Sequence, residues 1–255
     1  MKLTNDVYCF GCSWTNCYGL DPDKSWPQYL QLKLKDTQVH NLGINGADIK
    51  QTIHSIFRCI DTSVPKTIIL QLTSLDRFHY GVGGRSNFLS GGLNTTPLWN
   101  YANGLMITDL YSYLESSKTS TTAFDNITSF LELDKAEYKN FIKFHYENIS
   151  FDLYNQENTL LLISLTVNYL EQLGVNVVMF PYADEGWIET DGKSGILSSS
   201  IFTKYLKDSF FLRNPFKNWM LDHYGSEHFI DNGYHLSEKG CKILVDEYLM
   251  PNCIL

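Results

Sequence analysis

Basic clusters, long apolar runs and a leader-like amino terminus are all missing from this 255-residue sequence. The net charge is −8 and no run of lysine or arginine forms a basic patch, which argues against a nucleic-acid partner. No apolar stretch reaches the length that a membrane-spanning helix needs, and the first six residues lack the apolar region of a signal peptide. We therefore expect a cytoplasmic protein without a membrane segment.

A complete set of metal-ligating cysteines is also missing. Cys9, Cys12 and Cys17 lie close together, but no second Cys-x2-Cys pair and no nearby histidine completes a tetrahedral zinc set. In a chain without a signal peptide, the six cysteines are expected to be reduced thiols. The sequence therefore predicts neither a metal nor a cofactor.

The length and composition are those of one globular domain covering residues 1–255. Between about residues 79 and 130 the regular pattern fails in glycine-rich and then Ser/Thr-rich sequence, which predicts an insertion. A lid or substrate-recognition region and a variable surface elaboration both fit such a segment. Aromatic residues make up 14% of the chain and fit either core packing or a sugar-binding cleft.

Short apolar runs alternate with helical patterns along the rest of the chain. Strands are predicted at 7–10, 37–42, 67–72 and 175–180, and helices at 25–34, 47–59, 134–171 (with a break near 148–151), 198–211 and 237–249. This alternation predicts an α/β fold: three α/β/α layers around a doubly wound, flavodoxin-like parallel sheet. Ligands bind at the carboxyl ends of the strands in such sheets.

Ser13 lies in the loop that follows the first predicted strand, in the sequence Phe-Gly-Cys-Ser-Trp-Thr of residues 10–15. A loop at that point can present a hydroxyl nucleophile and offer free amide groups to an oxyanion. A serine nucleophile needs a base that is itself oriented by an acceptor. Of the seven histidines, His235 best fits this role, because it lies in a turn before the last helix with Asp231 and Asn232 just upstream.

Three sequence blocks, in order, resemble those of the SGNH hydrolase superfamily, also called GDSL-type esterases and lipases. Residues 10–15 resemble the first block, with Cys12 in place of the family's aspartate; residues 41–48 resemble the second and residues 232–237 the fourth. The resemblance covers nearly the whole chain outside the insertion. It implies Ser13 as nucleophile, His235 as base, and the amides of Ser13 and Gly46 as oxyanion donors.

Two departures from the family pattern concern the supporting residues. The third block, at 70–77, has no asparagine for the oxyanion, so we expect either that Thr73, Ser74 or Arg77 substitutes for it or that the oxyanion relies on the amides of Ser13 and Gly46. In the fourth block Asn232 occupies the family's aspartate position and Asp231 precedes it, so either residue is a candidate to orient His235. The expected substrate contacts are Trp14, Asn45, Thr73 and Arg77.

The resemblance implies a serine esterase that hydrolyses a small-molecule or glycan ester, such as an O-acyl or O-acetyl carbohydrate, through an acyl-enzyme on Ser13. An O-acyltransferase using the same residues is one alternative. A non-catalytic binding protein with the same fold is another, because the departures above are compatible with lost activity. The oligomeric state does not follow from the sequence.

Overall fold

A computed structural model describes residues 3–60, 64–73, 75, 79–80, 105–106, 136, 140, 144, 153–183, 215–230 and 235–251. The chain forms two compact units, one of Met1–Ser74 with Glu157–Leu255 and the other of Leu75–Gln156. The described strands are β1 (Leu3–Phe10), β2 (Gln38–Asn41), β3 (Val64–Leu72), β4 (His79–Tyr80), β5 (Leu105–Met106), β6 (Asn176–Pro181), β7 (Phe229–Ile230) and β8 (His235–Leu236). The described helices are α1 (Ser13–Asn16), α2 (Trp26–Lys33), α3 (Ile49–Ile60), α4 (Leu153–Gln172), α5 (Phe216–Tyr224) and α6 (Glu238–Ile243), the last continuing as a π-helix over Leu244–Leu249.

A parallel sheet with strand order β2-β1-β3-β6 organises the first unit. β3 is buried along almost its whole length between β1 and β6, as its continuous apolar sequence predicts. The chain runs from β1 outward to β2 and then returns across β1 to β3. Because parallel crossovers are right-handed, this reversal puts α2 and α3 on opposite faces and leaves a crevice at the carboxyl ends of β1 and β3.

Aromatic contacts identify the helices that share each face of the sheet. On one face Phe180 of β6 lies between Trp26 of α2 and Tyr248 of the terminal helix. On the other face Phe57 of α3 lies against Tyr169 of α4. The predicted three-layer α/β/α fold with a doubly wound sheet is therefore confirmed.

Most predicted elements occur within one to four residues of their expected bounds, with three differences. Ser13 was expected in a loop but begins the one-turn helix α1. Ser25, the first residue of the helix predicted at 25–34, lies just before α2, and its hydroxyl donates to Pro22 O (2.7 Å) instead of capping the helix. Helix α5 was not predicted, since Pro215 and the irregular sequence before it hide the helical period.

In the second unit, β4 and β5 form an antiparallel pair. The predicted insertion at 79–130 falls within this unit, and most of it lies outside the described residues, as does the predicted helix at 198–211. The organisation as one domain with an insertion stays a prediction. None of the helices that the structure describes has the length and apolar character needed to cross a membrane.

Candidate active site

The turn after β1 presents Ser13 at the carboxyl edge of the sheet. Helix α1 begins at Ser13, and Cys12 O accepts hydrogen bonds from the amides of Thr15 and Asn16 (both 3.0 Å). The Ser13 side chain is half-buried, whereas its neighbours Cys12 and Trp14 are buried. The strand therefore changes direction within two residues, and the serine keeps access to solvent.

His235 reaches this serine from the other end of the chain. Its Nε2 lies 3.0 Å from Ser13 Oγ, although the two residues are 222 positions apart in sequence. This is hydrogen-bond distance for a hydroxyl donating to a neutral imidazole nitrogen. The structure therefore brings together the two residues that the sequence singles out as nucleophile and base.

Local structure on both sides fixes the position of His235. Strand β8 pairs antiparallel with β7, with His235 opposite Ile230. Two residues later Ser237 caps α6: its Oγ accepts from Gly240 N (3.2 Å) and donates to His228 O (2.9 Å). This cap anchors the chain directly after the histidine.

Two aromatic side chains flank the imidazole. The Trp14 ring centroid lies 5.8 Å and the Tyr18 centroid 5.3 Å from that of His235. Trp14 is buried and also packs edge-on against Tyr182, whereas Tyr18 is 55% exposed. Trp14 was predicted to contact substrate, and its observed neighbours are the histidine and the core; its role toward substrate stays a prediction.

The loop after β2 brings Gly46 to the same edge of the sheet. Ile44 N donates to Gly11 O (2.9 Å), and Asn16 Nδ2 donates to Asn45 Oδ1 (2.8 Å), so this loop is tied to the turn that carries Ser13. Gly46 has φ +76°, a left-handed conformation that favours glycine. The predicted substrate contact Asn45 therefore uses its side-chain oxygen within the protein.

Two backbone amides are available at this edge for a developing negative charge. Within the described ranges, neither Ser13 N–H nor Gly46 N–H donates a hydrogen bond to another protein group. The first amides of a helix have no acceptor inside the helix, which explains the free donor at Ser13. An oxyanion held by these two amides remains a hypothesis.

The remaining predicted residues divide into described and undescribed ones. Thr73 is buried directly after β3. Asp231, Asn232, Ser74 and Arg77 lie outside the described residues, so the acceptor for His235 and the third-block oxyanion donor stay open. In the part of the chain that the structure describes, no three His, Cys, Asp or Glu side chains form a group that could hold a metal ion.

Sequence reasoning overlooked one residue at the site, Gln71 in β3. Its side chain is 2% exposed, and its Oε1 accepts hydrogen bonds from Cys12 N (3.0 Å) and Thr15 Oγ1 (3.2 Å). The available signal was a long polar side chain in a strand otherwise apolar enough for the middle of a sheet. Buried amides are uncommon and are normally hydrogen-bonded, so such a residue predicts a specific partner.

The thiols near the site are poorly disposed to react. Cys17 Sγ and Cys241 Sγ lie 3.8 Å apart in the core, and their hydrogen bond together with burial raises the pKa of Cys241 well above its usual value. Burial likewise raises the pKa of Cys9 well above its usual value. Since the thiolate is the reactive form, neither Cys9 nor Cys241 is a good nucleophile.

The geometry can be compared with known proteins. No protein-family model and no curated protein matches the chain. Among solved structures, the chain is similar to the psychrotrophic esterase EstA from Pseudoalteromonas sp., in a structure inhibited by monoethylphosphonate. The TM-score is 0.51 at 14% identity, over 95% of this chain and 93% of that one.

Two further structures are described as lipolytic proteins of the G-D-S-L family. The one from Desulfitobacterium hafniense has a TM-score of 0.46 at 12% identity, over 94% of this chain and 95% of that one. The one from Veillonella parvula has a TM-score of 0.35 at 13% identity, over 96% of this chain and 98% of that one. The likeness to EstA shows that the two chains share their fold, which agrees with the fold that the sequence blocks indicate.

Proposed function

We propose that this protein is a serine esterase of the SGNH type, with Ser13 as nucleophile and His235 as general base. The observation that carries the proposal is the 3.0 Å distance between Ser13 Oγ and His235 Nε2. A hydroxyl is a weak nucleophile at neutral pH unless an adjacent base removes its proton. The likeness in fold to an esterase that a phosphonate inhibits gives independent support for acyl-transfer chemistry.

The reaction proceeds in two steps, acylation of Ser13 and hydrolysis of the acyl-enzyme. Ser13 Oγ attacks the ester carbonyl while His235 takes its proton, and the imidazolium returns that proton to the departing alcohol, leaving an acyl group on Ser13. In the second step water attacks the acyl-enzyme while His235 takes a proton from the water, and the imidazolium returns that proton to Ser13 Oγ as the acid departs. In each step the amides of Ser13 and Gly46 stabilise the oxyanion.

The proposed substrate is an ester with a ring or apolar face next to the scissile bond, such as an O-acylated sugar. Tyr18 supports this choice because its ring is more than half exposed and lies 5.3 Å from the His235 ring. Cys17 N and Tyr18 N both donate to Ser13 O, which holds the tyrosine beside the nucleophile. An aromatic face in that place stacks on a sugar ring or packs against an alkyl chain.

The decisive experiment compares wild type with Ser13→Ala, using a fluorophosphonate probe and p-nitrophenyl acetate. Wild type should be labelled on Ser13, and Ser13→Ala should lose both labelling and roughly 10⁴- to 10⁶-fold of kcat without a change in fold. The matched control is Ser55→Ala, since Ser55 is also half-buried but its hydroxyl donates to the carbonyl of Gln51 (3.0 Å). Full activity in Ser13→Ala would contradict the proposal.

Two further outcomes distinguish the alternative functions. Wild-type protein that hydrolyses no ester and takes up no probe would indicate a binding protein with this fold. Where esterase activity is present, adding a sugar hydroxyl and measuring the acylated sugar against free acid separates hydrolase from transferase. We expect release to water to dominate.

A further inference from the structure

The buried side chain of Gln71 joins β3 to the turn that carries Ser13. Its Oε1 accepts from Cys12 N (3.0 Å), from Thr15 Oγ1 (3.2 Å) and, more weakly, from Cys12 Sγ (3.3 Å). Cys12 and Thr15 lie on either side of the nucleophile, at the start and within the turn of α1. One carbonyl oxygen therefore connects to both flanks of Ser13.

The orientation of this amide is fixed by its partners. A backbone N–H can only donate, so the atom facing Cys12 N must be the oxygen of Gln71. Its Nε2 is then buried, and among the described residues it has no hydrogen-bond acceptor. A buried donor without a partner is destabilising, so the amide is poorly explained as a source of stability alone.

The absence of a side chain at Gly11 makes room for this arrangement. A Cβ built on Gly11 would lie 2.5 Å from Gln71 Oε1 and would also collide with Thr15 Oγ1. The Thr15 hydroxyl is within reach of Phe10 O (3.4 Å) as well, so its single proton is shared between Phe10 O at the end of β1 and Gln71 Oε1 of β3. Gln71 and Thr15 thus pack directly over the chain reversal that precedes Ser13.

We propose that Gln71 is a positioning residue for Ser13, acting through Cys12 and Thr15; this inference rests on the proposed esterase function. Gln71 lies in β3, the strand next to β1 in the middle of the sheet, so it links the turn to a rigid element. Holding α1 at its start keeps Ser13 Oγ within hydrogen-bond distance of His235 Nε2. A displacement of about 1 Å at a nucleophile costs on the order of a hundredfold in rate.

The test combines Gln71→Met, which has a similar shape but no acceptor, with Thr15→Val, which removes only the hydroxyl. We expect Gln71→Met to lower kcat and the fluorophosphonate labelling rate by roughly 10- to 100-fold while KM changes less than about twofold. Thr15→Val should have a smaller effect of the same kind, and Thr15→Ser should restore kcat. Because Gln71→Met already removes the acceptor that Thr15 Oγ1 uses, the double variant should be no worse than Gln71→Met.

The matched control is Thr166→Val in α4. Thr166 is also buried, and its hydroxyl donates to Leu162 O (2.8 Å), remote from the Ser13 turn. It should lower the melting temperature about as much as Thr15→Val and leave kcat unchanged. Wild-type kcat and labelling in Gln71→Met, or full additivity in the double variant, would overturn the inference.

A measurement independent of activity separates this inference from the proposed function. The Cys12 amide should exchange with solvent deuterium at least tenfold faster in Gln71→Met than in wild type, because it loses its acceptor. Unchanged exchange would overturn the proposed role of Gln71 even in an active enzyme. Failure of wild type to react with the probe, together with faster exchange, would reject the esterase and retain Gln71 as the support of this turn.

Discussion

Replacing Gly43 by alanine tests how closely the second-block loop must approach the nucleophile. A Cβ at this buried position would lie 2.8 Å from the Thr15 carbonyl carbon and 2.9 Å from Thr15 Cβ, and would collide with Asn16 N. Ordinary van der Waals contact begins at 3.4 Å, and the opposing atoms are mostly backbone. The loop and α1 must therefore separate by at least about 0.5 Å.

The expected cost follows from that separation. Displacing a nucleophile by about 1 Å lowers the rate on the order of a hundredfold. A displacement of about 0.5 Å therefore predicts roughly a tenfold loss of kcat, or about 1.4 kcal/mol of activation free energy. KM should change little, because the amides of Ser13 and Gly46 are needed for the transition state more than for substrate binding. Crowding of the core should also lower stability by about 1 to 3 kcal/mol.

The assay measures kcat and KM for p-nitrophenyl acetate alongside the melting temperature. Gly225→Ala serves as the control: Gly225 has φ +79°, and the atom that an added Cβ would crowd is the movable Glu227 Oε2 at 2.9 Å. It should cost a similar 1 to 2 kcal/mol of stability without affecting kcat. A Gly43→Ala enzyme with wild-type kcat would show that the contact between this loop and α1 does not position the site.

Two other predictions concern the cap of α6 and the thiols. Ser237→Ala should lower the free energy of unfolding by about 1 kcal/mol in urea denaturation, because Gly240 N loses its acceptor; an unchanged value would contradict the capping role. Burial raises the pKa of the partly exposed Cys59, but it raises that of Cys9 well above the usual value, as the Cys17 hydrogen bond together with burial does for Cys241. Iodoacetamide at neutral pH should therefore modify Cys59 well before Cys9 and Cys241. Peptide mass spectrometry checks the order, and early modification of Cys9 would contradict it.

The fold could be predicted from the sequence because its signals are local. Continuous apolar runs predicted β1, β3 and β6, and helical spacing of apolar residues predicted α2, α3 and much of α4. The alternation of predicted strands and helices along the chain then predicted a doubly wound parallel sheet. Helix α5 was not predicted because its sequence shows no clear helical pattern. Its stability comes from packing, since Phe216 and Met220 are buried in the core.

The site was predictable where a residue has a distinctive position and unpredictable where it acts through a tertiary contact. Ser13, Gly46 and His235 each follow or precede a recognisable element, so topology brings them to one edge. No local sequence feature identifies the role of Gln71, because the partners of its side chain are 56 and 59 residues away in sequence. The contact between Asn16 and Asn45 likewise depends on how two loops meet.

The lack of a third-block asparagine should slow the proposed reaction without abolishing it. Both proposed oxyanion donors are backbone amides, one at the first turn of α1 and one at a left-handed glycine, so neither depends on a side chain. If neither Ser74 nor Arg77 supplies another donor, the loss is that of one hydrogen bond to the oxyanion, about 10²- to 10³-fold in kcat. Enzymes lower activation barriers by at least about 8 kcal/mol, and a loss of about 2.7 to 4 kcal/mol leaves at least about half of that. The hydrogen-bonded pair of Ser13 and His235 should therefore give a slow but measurable esterase.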